Sequence, residues 1–133
     1  MNSPERSEPQ TATRIDKPWG YQLLFTVAAP YSGAVDVVRK GHSLSLQYHR
    51  QRDETLFLYQ GLLRVELADE MGVMHTFTLE PGQSIRFLPL RRHRIHAVED
   101  SVIFEVSTPE LDDVVRMADL YGRVDQEPGG KEQ

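Results

Sequence analysis

The chain has 133 residues, a formal net charge of -5 and a pI near 5.5, with 39% hydrophobic and 26% charged residues. That is one domain with one core, and its acidic balance argues against nucleic acid or an anionic membrane as a partner. It has no cysteine, so disulfides and thiolate ligands are excluded, and no apolar run approaches membrane-spanning length. A cytoplasmic protein is expected.

In chain order, residues 1–14 are polar and proline-bearing and read as a disordered tail, as do residues 124–133. The folded domain is expected over 15–123. Within it, β-branched and aromatic runs predict strands near 19–27, 34–40, 43–49, 54–60, 62–68, 73–79, 84–88, 93–98 and 102–108. Turn signals separate them, among them Ala29-Pro30, Gly41, Asp69 to Gly72, Glu80 to Gln83 and Glu99 to Ser101. Many short strands at this spacing predict an all-β sandwich or jelly-roll barrel. Residues 111–120 predict one short C-terminal helix, with Asp112 or Asp113 near its N-terminus.

Two glycine-bracketed segments carry the chemistry. One runs from Gly41 through Gln47, His49 and Glu54 to Gly61, and the other from Gly82 to His93. Gln47 and His49 lie two apart, so on a strand they leave by the same face. The turn Arg50 to Asp53 lets the next strand return antiparallel and bring Glu54 opposite His49. With His93 arriving from a distant strand, two imidazoles and a carboxylate can hold one divalent cation, and the Gln47 amide fills a fourth corner while leaving a position open. A single strand histidine or turn carboxylate carries no such meaning; the combination does. Alternation puts Ser43, Ser45, Gln47 and His49 inward and Leu44, Leu46 and Tyr48 outward, followed by Phe57 and Tyr59 outward. Outward apolar surface of that kind needs cover, and a homodimer is expected.

These spacings resemble the two cupin motifs, with Gln47 at the first histidine and Ala97 at the closing asparagine. The chain is similar to the cupin domain of mannose-6-phosphate isomerases of the bifunctional isomerase/guanylyltransferase type. The matching pieces are Lys17 to Gly20, Gly41 to His49, Arg52 and Glu54, Ser84-Ile85, His93-Arg94 and the ending Asp113 to Arg123. The resemblance implies a single-domain cupin, a double-stranded β-helix or jelly-roll barrel. It implies one divalent ion on Gln47, His49, Glu54 and His93, zinc being the first choice ahead of manganese, cobalt, nickel or iron. It implies aldose–ketose isomerisation of a sugar phosphate through a metal-steadied enediolate. Arg52 would stabilise developing charge as the catalytic residue, and Lys17, Arg91, Arg92 and Arg123 would meet the substrate. Trp19 is expected as a core plug. His96 has the chemistry of a base, but strand parity from His93 turns it outward. The chain departs from the pattern at Arg50-Gln51, Thr55-Leu56 and Leu88 to Arg92, which alters the pocket wall, and it has no Gly-rich nucleotidyl-transfer segment. The alternatives are a non-catalytic cupin binding a sugar or small anion, and an iron-dependent oxygenase.

Overall fold

The computed structural model describes residues 8–118 and Gly122. They form eleven strands: β1 (Thr13–Lys17), β2 (Gly20–Val27), β3 (Ser32–Val38), β4 (Leu46–Tyr48), β5 (Glu54–Gln60), β6 (Leu63–Ala68), β7 (Met74–Leu79), β8 (Ser84–Phe87), β9 (His93–Ala97), β10 (Ser101–Ser107) and β11 (Val115–Ala118). Every pairing is antiparallel, in a six-stranded sheet of order β1-β2-β3-β10-β5-β8 and a five-stranded sheet of order β11-β4-β9-β6-β7.

The alternation of side chains makes this a two-sheet fold. Glu54, Leu56 and Leu58 of β5 are buried while Phe57 and Tyr59 are exposed; His93, Ile95 and Ala97 of β9 are buried while Arg94 and His96 are half-buried. The core between the sheets gathers Val38, Leu56, Leu58, Phe87 and Ile103 from the larger one and Leu63, Val65, Leu79, Ile95 and Ala97 from the smaller, with Trp19 packed among them as expected. The inner faces are graded along their length. Register places Ser32 and Glu54 on either side of Ser107 at one end of β10, and Val38 beside Ser101 at the other. One end of the interior is therefore polar and the other apolar. The turn between β5 and β6 requires glycine: at Gly61, φ is +106°, and a Cβ would lie 2.2 Å from Ser101 Oγ and 2.5 Å from the Asp100 carbonyl oxygen.

Three expectations are corrected. The short helix over 111–120 does not form among the described residues: 111–112 turn, and Val115–Ala118 pair with β4, since Val114 and Val115 are β-branched and Asp113 is engaged by another loop. Strand β1 begins at Thr13, inside the segment read as a tail, and pairs along its whole length with β2. The alternation over 43–49 breaks in the irregular stretch Leu44–Ser45. Ser43 bridges to His96 on the outer side, Leu44 packs against the core, and Ser45, Gln47 and His49 face the interior. Residues 1–7 and 124–133, read as tails, and Arg123 lie outside the described residues. No helix among the described residues is long and apolar enough to cross a membrane.

The outward apolar set is therefore divided. Leu44 belongs to the core, and Leu46 and Tyr48 are half-buried on the smaller sheet. Phe57 and Tyr59 instead join Phe104 and Val106 on the outer face of the larger sheet, where Tyr59 and Phe57 stack on Phe104 with centroids 5.1 and 6.1 Å apart. Tyr59 is 54% exposed and Val106 56%. A contiguous exposed aromatic face is rare on a monomer, and we propose that a second copy of the chain covers it. Light scattering at micromolar concentration should return twice the 15.2 kDa chain mass, and Phe104→Glu should return the chain mass itself. A monomeric wild type would exclude the dimer.

Candidate metal centre

Strands β4, β5 and β9 deliver the site. Gln47 stands directly across from His93 in the β4–β9 pair, so the two side chains share a face. His49 follows at the end of β4, and after the turn 50–53 the chain returns as β5 with Glu54 first. One ligand atom from each of His49, Glu54 and His93 lies within 4.8 Å of the others, and all three residues are buried.

The hydrogen bonds settle which ring nitrogens face inward. His49 Nδ1 donates to the Asp113 carbonyl at 2.6 Å and His93 Nδ1 to the Arg91 carbonyl at 3.0 Å; a carbonyl only accepts, so both Nδ1 atoms carry protons. The Nε2 atoms then point at Glu54 Oε2, at 2.9 Å from His49 and 3.5 Å from His93. His93 Nε2 is buried without a hydrogen-bond partner. Two imidazole nitrogens and a carboxylate oxygen converging on one point can hold a cation between them, so the donors present fit a divalent ion. Backbone carbonyls holding the far nitrogens are the outer support such ligands use. The His93 ring is further pinned by stacking on buried Phe87, with centroids 4.0 Å apart. Burial by itself would raise Glu54, but the facing His49 and His93 rings and the Arg52 charge outweigh it and hold the group far below the usual carboxylate range.

Asp113 organises the ligand loop. Its carboxylate accepts the backbone N–H groups of Arg50, Gln51 and Arg52 at 3.0, 2.6 and 3.0 Å, while its own carbonyl holds His49. Burial opposes its ionisation, yet these three donors prevail and lower it. On the other side, the Leu90 N–H donates to the His49 carbonyl at 2.6 Å, with Leu90 in the left-handed region at φ 69°. A leucine rarely adopts that conformation, so the loop before His93 is held there by its surroundings.

Arg52 is half-buried with its side chain only 11% exposed, not a solvated turn residue. Its Nη2 lies 3.4 Å from Glu54 Oε1 and donates to Glu105 Oε2 in a close ion pair. Glu105 and Asp36, both buried, complete a carboxyl cluster on the same wall. These groups line a cavity of about 340 Å³ together with Lys17, Gln47, Trp19 and Arg116. Of the sequence candidates, Lys17 and Arg52 reach this cavity; Arg91 and Arg92 do not line it. Arg92 instead donates to the Gly72 carbonyl at 2.5 Å, and Arg91 contributes its backbone carbonyl to His93. His96 faces away, hydrogen-bonded to Ser43 at 2.6 Å, as strand parity implied. Asp36, Glu105 and Arg116 were not foreseen as site residues. The available signal for the first two was parity: each is a carboxylate on the buried phase of an apolar strand.

No protein-family model matches the sequence, and no curated protein matches it. Solved structures do. KdgF from Halomonas sp. superposes with a TM-score of 0.64 at 18% identity, over 75% of this chain and 90% of that one. Oxalate decarboxylase from Bacillus subtilis gives 0.71 at 17% identity, over 86% of this chain and 34% of that one. The formate complex of Lactobacillus farciminis oxalate decarboxylase gives 0.69 at 18%, over 80% and 33%. At these identities the likeness is one of fold, and this chain spans about a third of the oxalate decarboxylase chains. The architecture is that of a single-domain cupin, and its interior holds a His–Glu–His group arranged for a metal ion.

Purified protein should carry close to one divalent ion per chain, and a chelator should lower its melting temperature, because an ion bound only by the native state stabilises it. His93→Ala should lose most of that ion; full occupancy in both His93→Ala and His49→Ala would refute the site. Asp113→Ala should cost about 2–3 kcal/mol and loosen the metal about 10–100-fold. Because the folded state lowers Asp113, its contribution exists above the ordinary carboxylate range and is lost on acidification. The gap in melting temperature between wild type and Asp113→Ala should accordingly close as pH falls through that range.

Proposed function

We propose that the chain is a metal-dependent isomerase of a small hydroxy-carbonyl compound, with a sugar phosphate as the substrate class. The observation that carries this reading is the pairing, in one cavity, of a His–Glu–His group with buried carboxyl groups on the strands beside Glu54 and a half-buried arginine between them. His49, Glu54 and His93 would hold the ion, with the Gln47 amide beside His93 as a further donor. The ion would polarise a carbonyl and steady the negative charge of an enediolate. A nitrogen and oxygen donor set without sulfur suits zinc, our first choice, and also manganese, cobalt, nickel and iron.

The residues of the chain supply the rest. Arg52 offers a fixed, largely dehydrated positive charge beside Glu54 and Glu105. Lys17 and Arg116, less buried than the carboxyl cluster, are the lining cations suited to a phosphate. The oxalate decarboxylases act by name on a small dianion. Here Asp36, Glu54 and Glu105 outnumber Arg52 around the buried part of the cavity. Hydroxyl groups of a sugar would find acceptors among these carboxyl groups, which suits isomerisation.

The direct test is interconversion of mannose 6-phosphate and fructose 6-phosphate by metal-replete protein, with other aldose and ketose phosphates beside them. Turnover should vanish with chelator and return with zinc. Absence of turnover on every sugar phosphate would leave a cupin that binds a ligand without converting it. Arg52→Ala should abolish turnover and also destabilise the fold by about 3–5 kcal/mol, since it leaves buried carboxylates without their counter-charge. Unchanged thermal stability in that variant would contradict the buried ion pair.

A further inference from the structure

The carboxyl groups opposite the metal ligands are built as a pair. Asp36 stands across from Ile103 on β10, and Glu105 is two residues further along that strand, so the two side chains are diagonal neighbours on the inner face. Both side chains are buried and open onto the same cavity. Two carboxyl groups buried this close together disfavour double ionisation. Each is also oriented from outside the pair: Gln22 Nε2 donates to Asp36 Oδ1 at 2.9 Å, and Arg52 Nη2 donates to Glu105. Both line the cavity, and Arg52 joins them to the ligand Glu54.

We propose that Asp36 and Glu105 together are the proton-transferring group of this pocket, acting as general base and then general acid on the carbon atoms of the substrate. The proposal rests on the isomerase reading above. Of the other titratable groups, His49 and His93 are engaged as ligands, Lys17 is given above to the phosphate, Asp112 is exposed to solvent, and His96 lies on the outer face. Burial and the charges of Asp36 and Glu54 push Glu105 well above the usual carboxylate range, and burial raises Asp36 as well. Of the two, Glu105 is the readier to keep a proton and Asp36 the readier to offer an ionised oxygen.

The step balances without any oxidant or reductant. The ionised member takes the proton from the carbon next to the carbonyl, the C–H electron pair becomes the carbon–carbon double bond of the enediolate, and the carbonyl π pair moves onto oxygen. The pair then holds two protons and no charge, a form that relieves the repulsion among Asp36, Glu54 and Glu105. It returns one proton to the neighbouring carbon, while the hydroxyl proton moves between the two oxygens, and the pair again holds one.

The test uses two isosteric variants on different strands, Glu105→Gln and Asp36→Asn, so a folding failure in one leaves the other. Each should retain the metal content of the wild type and a KM within a few-fold, while kcat falls by about 10²–10⁴-fold. In D₂O the wild type should place solvent deuterium on the substrate carbon and the variants should not. Turnover within tenfold of wild type in either metal-replete variant would overturn the pair while leaving the isomerase reading intact. Loss of metal in step with activity would make the pair a support for the ion, and also overturns the proposal. A wild type that neither turns over sugar phosphates nor exchanges their protons would remove the isomerase reading and the pair with it.

Discussion

Glu54 touches two imidazole nitrogens and one guanidinium, and these contacts constrain the whole polar end of the molecule. A carboxylate this buried is costly unless its charge is answered. His49 and His93 turn their Nε2 atoms to it while their other nitrogens are committed to backbone carbonyls, an arrangement that can hold a cation between them. Arg52 answers it from the side, and in doing so draws in Glu105, which brings Asp36 and Gln22. Metal ligands, arginine and carboxyl pair thus form one connected polar network, whose members depend on each other for their protonation and orientation.

The strands pay out this network at a fixed phase. On β3, β5 and β10 the inner positions run from polar to apolar in the same direction, so register alone brings Ser32, Glu54 and Ser107 to one end and Val38, Leu58 and Ser101 toward the other. Slipping one strand by a residue would turn its carboxylate to solvent and an apolar side chain into the cavity. Packing of Val38, Leu58 and Ile103 against Leu63 and Ala97 thereby holds the chemistry in place at a distance. Two loops complete the job locally: Asp113 gathers the turn after His49, and Leu90 ties the loop before His93 to the His49 carbonyl.

The same parity that buries the ligands exposes an apolar face. Along β5 and β10, each inward Leu56, Leu58, Ile103 or Glu105 has an outward neighbour drawn from Phe57, Tyr59, Phe104 and Val106. A strand with a functional inner face and an aromatic outer face is buried on both sides only if something covers the second. The larger sheet presents that face away from the cavity, so cover there would stiffen β5 and β10 without closing access to the site.

Much of this was legible in the chain. Runs of β-branched and aromatic residues mark the strands from β2 to β10, and the spacing of His49, Glu54 and His93 around glycines identifies the convergent group, because strand parity and a short turn leave those side chains few other directions. Local pattern fails where a distant partner decides. Residues 111–118 look helical, yet Asp113 is claimed by the backbone of 50–52 and Val115–Ala118 by β4. Leu44 leaves its expected phase because Ser43 is drawn to His96. Arg52 looks like a turn residue until Glu54 and Glu105 close on it, and Arg92 looks like a substrate cation until the Gly72 carbonyl takes it. The sequence by itself determined most of the strands from β2 to β10 and the inner faces of β5 and β9, since each follows from neighbours a few residues apart. Only the tertiary structure brought Asp36 beside Glu105 and set Asp113 under His49, because contacts between remote strands depend on register, and register is a property of the assembled sheets.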